Sequence, residues 1–513
     1  MKNHFHLPAC ALALMAASPL AATTVVGTGT PASCTEAALE AAILEANGKA
    51  GLVTFNCGPA NHTIVLGSQK NLGNGVAIDG GNRIRLSGND ATRIFSLFQG
   101  AAVGISNIAL VHGLAGPTGG CILAASSNGN ESRLDLANVD FEDCRAQEGG
   151  AIAASQAFVN VTGGYFGGNS AAIGAGGAIF VSEGTLGIEN SLFEVNLAVT
   201  QGGAVHAFLS ELTVEGSTFN FNDTTDTGGG QSGGAGVALR SSNGTFGGST
   251  FSNNLAGRNG GGVTLVAGSS GSFENSFFQN NRASRDGGAI YADNSSSASV
   301  SSSSFWDNRA EDGGAVYSRL DLTLRNSTFY ENQAQLNGYA VFVEVGSLDM
   351  VSCTLVDSYS SATPGSGQLA WSAGTTIEVH NSLLQSPQRP AFACAPSGPA
   401  SFTSTMWDDF TCPEGGAGNR VNTVVGLRPF GFSCGGAASE LTRTIPLASG
   451  ISPALYAGSC RVGDPAFDQR GMPRPTGASC DMGAAEFFEP CDAPLFGDGF
   501  ESGNTAIWSL SLP

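Results

Sequence analysis

Two short signatures recur in fixed phase through the middle of the chain, and nothing else in the sequence restricts the fold as much. The first is Phe-x-x-Asn, at Phe166/Asn169, Phe193/Asn196, Phe219/Asn222, Phe251/Asn254, Phe278/Asn281, Phe305/Asn308 and Phe329/Asn332; the Phe-to-Phe intervals are 27, 26, 32, 27, 27 and 24 residues. The second, Gly-Gly-Ala-Ile/Val, begins at Gly149, Gly176, Gly202, Gly287 and Gly313, with looser copies at Gly233, Gly260 and Asn337. Between them lie short alternating runs such as Ala178-Ile179-Phe180-Val181 and Leu320-Asp321-Leu322-Thr323-Leu324, the period of a strand. No helical period occurs between roughly residues 51 and 386.

A strand-only repeat of this length predicts an all-β chain wound as a parallel β-helix, one coil per repeat, with coils stacked about 4.8 Å apart. Equivalent residues then form columns. Phe fills the interior, Asn forms an amide ladder at an inward turn, and Gly takes a corner that needs positive φ. At about 26 residues per coil this gives about thirteen coils and a rod on the order of 60 Å long. Proline agrees: thirteen of twenty lie at Pro390 or later, and only Pro117 falls between Pro59 and Pro364. Stacked strands cannot spare a backbone N–H. The expected organisation is a signal peptide (1–22), an N-terminal cap (23–50) holding one amphipathic helix from about Cys34 to Asn47, the β-helix (51–390) and a Cys/Pro-rich closing segment (391–513).

Acidic residues number 42 against 22 basic ones, a formal charge of −20, and the only lysines are Lys2, Lys49 and Lys70. Phosphate binding needs a basic footprint, so nucleic acid is not an expected partner. Glycine, 73 of 513 residues, is about twice its usual share, but 42 % hydrophobic residues supply a core, which excludes a disordered or collagen-like chain. Residues 1–22 read as an export signal, with Lys2 ahead of a short apolar run and Ala21-Ala22 as the cleavage site. No other stretch is long and apolar enough to span a bilayer. Export would leave eleven cysteines in a compartment where disulfides persist, with at least one unpaired. Proximity along the chain favours Cys394–Cys412 and Cys460–Cys480, then Cys34–Cys57 and Cys121–Cys144.

The paired GGAI and FxxN signatures resemble the repeats of the polymorphic outer-membrane proteins of chlamydiae and related bacterial right-handed β-helix proteins, over about residues 76–381. The resemblance implies a right-handed β-helix, exported and placed extracellularly or on the outer surface of a Gram-negative cell. The residues Ser452-Pro453-Ala454, Asp468-Gln469-Arg470-Gly471, Arg474-Pro475 and Cys480-Asp481-Met482-Gly483-Ala484-Ala485-Glu486 look like an anchor-type closing segment of the same group. The tail from Phe496 to Thr505, with Trp508, is similar to a terminal motif of exported proteobacterial proteins. Autotransporters of the family end in an outer-membrane barrel. Residues 391–513, with six cysteines and twelve prolines, carry no series of alternating strands that would build one.

Few residue constellations carry chemistry. Aligned on the Gly pair, Asp286 and Asp312 share a column, with Asn259 one coil earlier. That spacing could hold Ca²⁺, but Asp before Gly is the ordinary residue of a solvated turn, and the turn is the expectation. Arg285 and Glu311 align beside them as an exposed ion pair. Glu142-Asp143 and Asp408-Asp409 are strand neighbours, which point to opposite faces. His62, His112, His206 and His380 fall in different coils at unlike phases. There is no HExxH, GxSxG or Walker loop. The Gly-rich insertion 222–234 is the best candidate for a loop leaving the rod. No catalytic, cofactor-binding or metal-binding residue is nominated, and no cofactor is expected. The expected function is a non-enzymatic, adhesin-like scaffold with an extracellular partner, a glycan or a host or cell-surface protein. A polysaccharide lyase or hydrolase on the same fold is the alternative, and fold alone does not separate the two.

Overall fold

A computed structural model describes residues 23–487 apart from 128, 229–231, 361–365, 387–391, 432–442, 448–451, 462 and 476–478. The expected signal peptide, Cys434, Cys491 and the terminal motif at 496–508 lie outside the described residues.

The chain winds as a parallel β-helix. Its described strands form sheets of 26, 13 and 8 strands. One coil shows the plan: Ile179–Ser182 in the 13-stranded sheet, Thr185–Glu189 and Leu192–Glu194 in the 26-stranded sheet, and Leu197–Ala198 in the 8-stranded sheet. The next coil repeats it in register, Ile179 opposite Val205, Leu186 opposite Leu212 and Phe193 opposite Phe219. The strands begin before residue 51, at Thr23–Val26, and run past residue 390 to Met406–Trp407.

The interior is built from the expected columns. Phe141, Phe166, Phe193, Phe219, Phe251, Phe278, Phe305 and Phe329 stack with ring centroids 4.4–4.9 Å apart and planes within 9° of parallel. Face-to-face stacking is not the preferred geometry of isolated rings. It is imposed here by the coil spacing, so burial rather than ring electrostatics stabilises the stack. Beside it the Asn ladder is continuous. Each Nδ2 donates to the next Oδ1 at 2.9–3.0 Å from Asn169 to Asn332, and every member is fully buried.

A third column was not singled out from the sequence. Ser191, Ser217, Ser249, Ser276, Ser303 and Ser327 are buried two residues before the stacked Phe. Their hydroxyls accept from the backbone of the preceding coil, as in Ser191 N to Ser217 Oγ at 3.1 Å and Ser303 N to Ser327 Oγ at 3.2 Å. Cys353 continues this column as a buried free thiol, held up to about 12 by burial. The residue before each column member often turns left-handed. Asn fits that corner at Asn275 and Asn280, but Val195 (φ 57°) and Phe221 (φ 53°) occupy it too. Such residues pay strain there.

The two ends are closed differently. A helix, Glu36–Asn47, capped by Thr35, lays Leu39, Ala42, Ile43 and Ala46 over the first coil. It hides an apolar end and an open stack. Beyond Trp407 the chain turns back along the side of the rod. Gln469 exchanges hydrogen bonds with Ser304 (2.8 Å) and Thr328 (2.6 Å), and Ala484 N donates to Thr354 Oγ1 at 2.9 Å. Behind these contacts lies a buried polar knot. Arg470 pairs with Asp468 at 2.7 Å, Arg474 with Glu486 at 2.5 Å, and Asp481 accepts from Tyr456 N and Phe487 N. The Asp-Gln-Arg-Gly and Cys-Asp-Met-Gly-Ala-Ala-Glu residues thus fasten this segment to the coils. All four expected disulfides are formed: Cys34–Cys57, Cys121–Cys144, Cys394–Cys412 and Cys460–Cys480.

Candidate functional site

A group of titratable side chains lies where the chain turns from the 8-stranded into the 13-stranded sheet. Asn259, Asp286, Asp312 and Asn337 each precede a glycine at positive φ, namely Gly260, Gly287, Gly313 and Gly338. Glycine is required: a Cβ on Gly287 would lie 2.2 Å from the Ile290 carbonyl oxygen. The turns stack in register, Gly260 N donating to Asp286 O, Gly287 N to Asp312 O and Gly313 N to Asn337 O, each at 2.9 Å. Asp286 and Asp312 are bridge partners in adjacent coils.

The sequence led us to expect a solvated turn; both aspartates are half-buried, so it is only partly open to solvent. The corner folds its backbone closely onto the start of the following strand, so that a Cβ on Gly287 would meet Tyr291 Cα at 3.0 Å. Burial pushes the Asp286 carboxyl up to about 6; Arg285 pulls it down, while Asp312, Glu311 and Glu344 add to the rise. Asp312 is raised by burial as well, against hydrogen bonds to its Oδ1 from Asn337 N (2.8 Å) and Nδ2 (2.9 Å). Arg285 reaches Glu311 at 3.7 Å, the aligned exposed pair.

Beside the acidic column runs an outward aromatic one. Tyr291 and Tyr317 stack at 5.5 Å, and Phe342 meets Tyr317 edge-on at 5.5 Å. Tyr317 donates its hydroxyl proton to Glu344, which also pairs with Arg319 at 2.9 Å. Burial and this acceptor push the Tyr317 phenol up. The column leads into an open depression of about 540 Å³ lined by Asn337, Phe342, Trp371, Pro396 and Thr411 among others. Higher on the same face, His206 packs on Phe180 at 5.4 Å with neither ring nitrogen hydrogen-bonded; burial pushes it down to about 3, so it is neutral.

The other residues weighed from the sequence are dispersed. Glu142 pairs with Arg85. Asp409 accepts from Ala393 N and Thr411 N, and Asp408 from Ser386 N, so this pair shapes the last coil. The Nε2 atoms of His62 and His380 lie 3.1 Å from Cys34 O and 2.8 Å from Ser459 O. In the Gly-rich insertion Asp226 accepts from Gly228 N and Ser232 Oγ, and residues 229–231 lie outside the described residues. Among the described residues no three His, Cys, Asp or Glu side chains converge as a metal centre, and no helix is long and apolar enough to cross a membrane. The aromatic column could not be picked out from the repeat, because its positions vary along the rod: Phe180, His206, Ala238, Thr264, Tyr291, Tyr317 and Phe342.

A family model described as "Right handed beta helix region" matches residues 203–384, about a third of the chain, including the whole acidic column and the aromatic one from His206 on. No curated protein matches the sequence.

Proposed function

We propose that this chain is an exported, non-enzymatic β-helix scaffold that displays an adhesive surface to an extracellular partner, a glycan or a cell-surface protein. One observation carries the reading: the inward positions of the 26-stranded sheet stay apolar, Ile188, Val214, Phe246, Phe273 and Val300, while their outward neighbours vary and four of them, Thr213, Thr245, Ser272 and Ser299, are exposed. A fixed frame with variable outward residues suits recognition along a rigid face. Disulfides along the chain support an oxidising compartment outside the cytoplasm.

The test applies the purified chain to arrayed glycans and intact cells, and follows the location of the native protein by protease accessibility. Retention without release of shortened sugar products, weakened by Thr245→Arg and Ser272→Arg on the exposed face, is the expected result. Catalytic release of oligosaccharides that stops on Asp286→Asn or Asp312→Asn would replace the scaffold by the polysaccharide-active alternative.

A further inference from the structure

A groove of about 450 Å³ lies where the 26-stranded sheet bends, with Asn82, Asn107 and Asn138 at positive φ along its edge. That volume is in the range of small-ligand sites. Its floor is Ala109, the small member of an outward row that runs Arg85, Ala109, Asp140, Tyr165 on successive coils. Arg85 is occupied, since its Nη2 donates to Glu142. Three other polar groups have no protein partner. Among the described residues the half-buried Asp140 carboxylate accepts no hydrogen bond, the Tyr165 hydroxyl makes none, and the exposed Arg83 makes neither hydrogen bond nor ion pair. Burial, then Glu142, pushes the Asp140 carboxyl up, against Arg85.

Tyr165 forms a platform at the end of this row. A Cβ on Gly167 would lie 2.4 Å from the Tyr165 hydroxyl oxygen and 2.6 Å from its Cζ. The ring therefore lies along the sheet, over the glycine two residues on, with its other face outward. Any side chain at 167 would lift it. Gly167 is in register with Glu142 on one coil and Glu194 on the next, so carboxylates flank the ring.

We infer that this groove binds a neutral oligosaccharide, one sugar ring stacked on Tyr165 and hydroxyls shared between Asp140 and Arg83. Sugars have apolar C–H faces that settle on an aromatic plane, and hydroxyls that donate to a carboxylate and accept from a guanidinium. An anionic chain would meet Glu142, Glu194, Asp140 and Asp143, all of which act on the Tyr165 phenol, and a basic peptide would meet Arg83; like charges in contact disfavour both. Length is selected too. Arg83 is three coils from Tyr165, about 14 Å at the coil spacing, which a short chain spans and a single sugar does not. The inference goes beyond the adhesive reading, because the exposed Thr and Ser residues of that reading lie on later coils and a soluble sugar can fill the groove whether or not the rod adheres.

The experiment titrates cellotetraose and maltotetraose into the purified full-length chain by calorimetry, with glucose and tetragalacturonate as comparators. At least one neutral tetrasaccharide is expected to bind saturably with a Kd of about 1 mM or tighter, and both comparators about tenfold more weakly or worse. Tyr165→Ala should weaken binding about tenfold, Tyr165→Phe, which keeps the platform, no more than about threefold, and Asp140→Asn several-fold, all with unchanged β-sheet circular dichroism. Thr245→Arg should leave it unchanged. No saturable binding of either neutral tetrasaccharide by about 10 mM, tighter binding of tetragalacturonate, binding untouched by Tyr165→Ala and Asp140→Asn, or equal losses in Tyr165→Phe and Tyr165→Ala would each overturn the site. Retention on cells without sugar binding would remove the groove and leave the adhesive reading standing; sugar binding without retention would do the reverse.

Discussion

The coils and the segment that folds back on them are held by opposite strategies. Between Asn169 and Asn332 the same contact is made again at every coil: one ring on the next, one amide to the next, one strand opposite its copy. Between residues 452 and 487 no contact is repeated. Arg470, Asp468, Arg474, Glu486 and Asp481 form one network with no exposed member. The first arrangement distributes stability over many equal terms and tolerates variation in any one outward residue. The second concentrates it in a few charges whose burial is costly unless every partner is present.

Breaking the knot should give the largest effect. Arg470→Met leaves Asp468 buried without its counter-charge, with only backbone N–H groups still donating to it, at roughly 3–5 kcal/mol. Limited proteolysis should then release residues 452–487 while the β-sheet circular dichroism of the rod persists; loss of both together would mean the coils depend on the knot. Phe305→Ala should cost a similar 3–5 kcal/mol. Here a denaturant titration should show the coils losing stability as one cooperative unit, because two stacking interfaces are cut. Asn308→Ala removes the acceptor of Asn281 Nδ2 and of Asn281 N. About 1–3 kcal/mol is expected, the penalty of buried donors left without acceptors, and a neutral melt would dismiss the ladder as a stabilising device. Val195→Asn works in the other direction. It should stabilise by about 1 kcal/mol, since a β-branched residue sits in a left-handed corner.

A pH dependence is also expected at the acidic column. Burial raises the Asp286 carboxyl from 3.8 to about 6 in the folded chain. The folded state therefore takes up this proton at higher pH than the unfolded state, and the wild type gains stability as pH falls through that window. Asp286→Asn lacks the gain. Its melting temperature should exceed that of the wild type at about pH 8, and the gap should close by about pH 4. A gap independent of pH would place the carboxylate in solvent.

What could be read in the sequence is what translation repeats. A Phe or Asn that recurs every 24–32 residues must occupy one column, so the coils, the ladder and the Gly corner were legible. The Ser column recurs two residues before six of the seven Phe of the signature, but it is lost in a background rich in Ser and Gly. Depth was not legible: periodicity aligned Asp286 with Asp312 without revealing that both are half-buried at the corner. The knot was visible as a motif and opaque as a contact, because Gln469 and Ser304 are 165 residues apart and no period links them.

The placing of two disulfides bears on how such a rod comes apart. In a one-dimensional stack a terminal coil has one neighbour and an internal coil has two, so opening ordinarily begins at the tips and travels inward like a zip. Cys34–Cys57 closes the first coil against its helix, and Cys394–Cys412 closes the last. With both tips riveted, the easiest route is blocked, and rupture must start in the interior, where two interfaces break at once. Oxidation then turns a filament that peels into one that snaps, and a reductant restores the peeling route without altering any coil between.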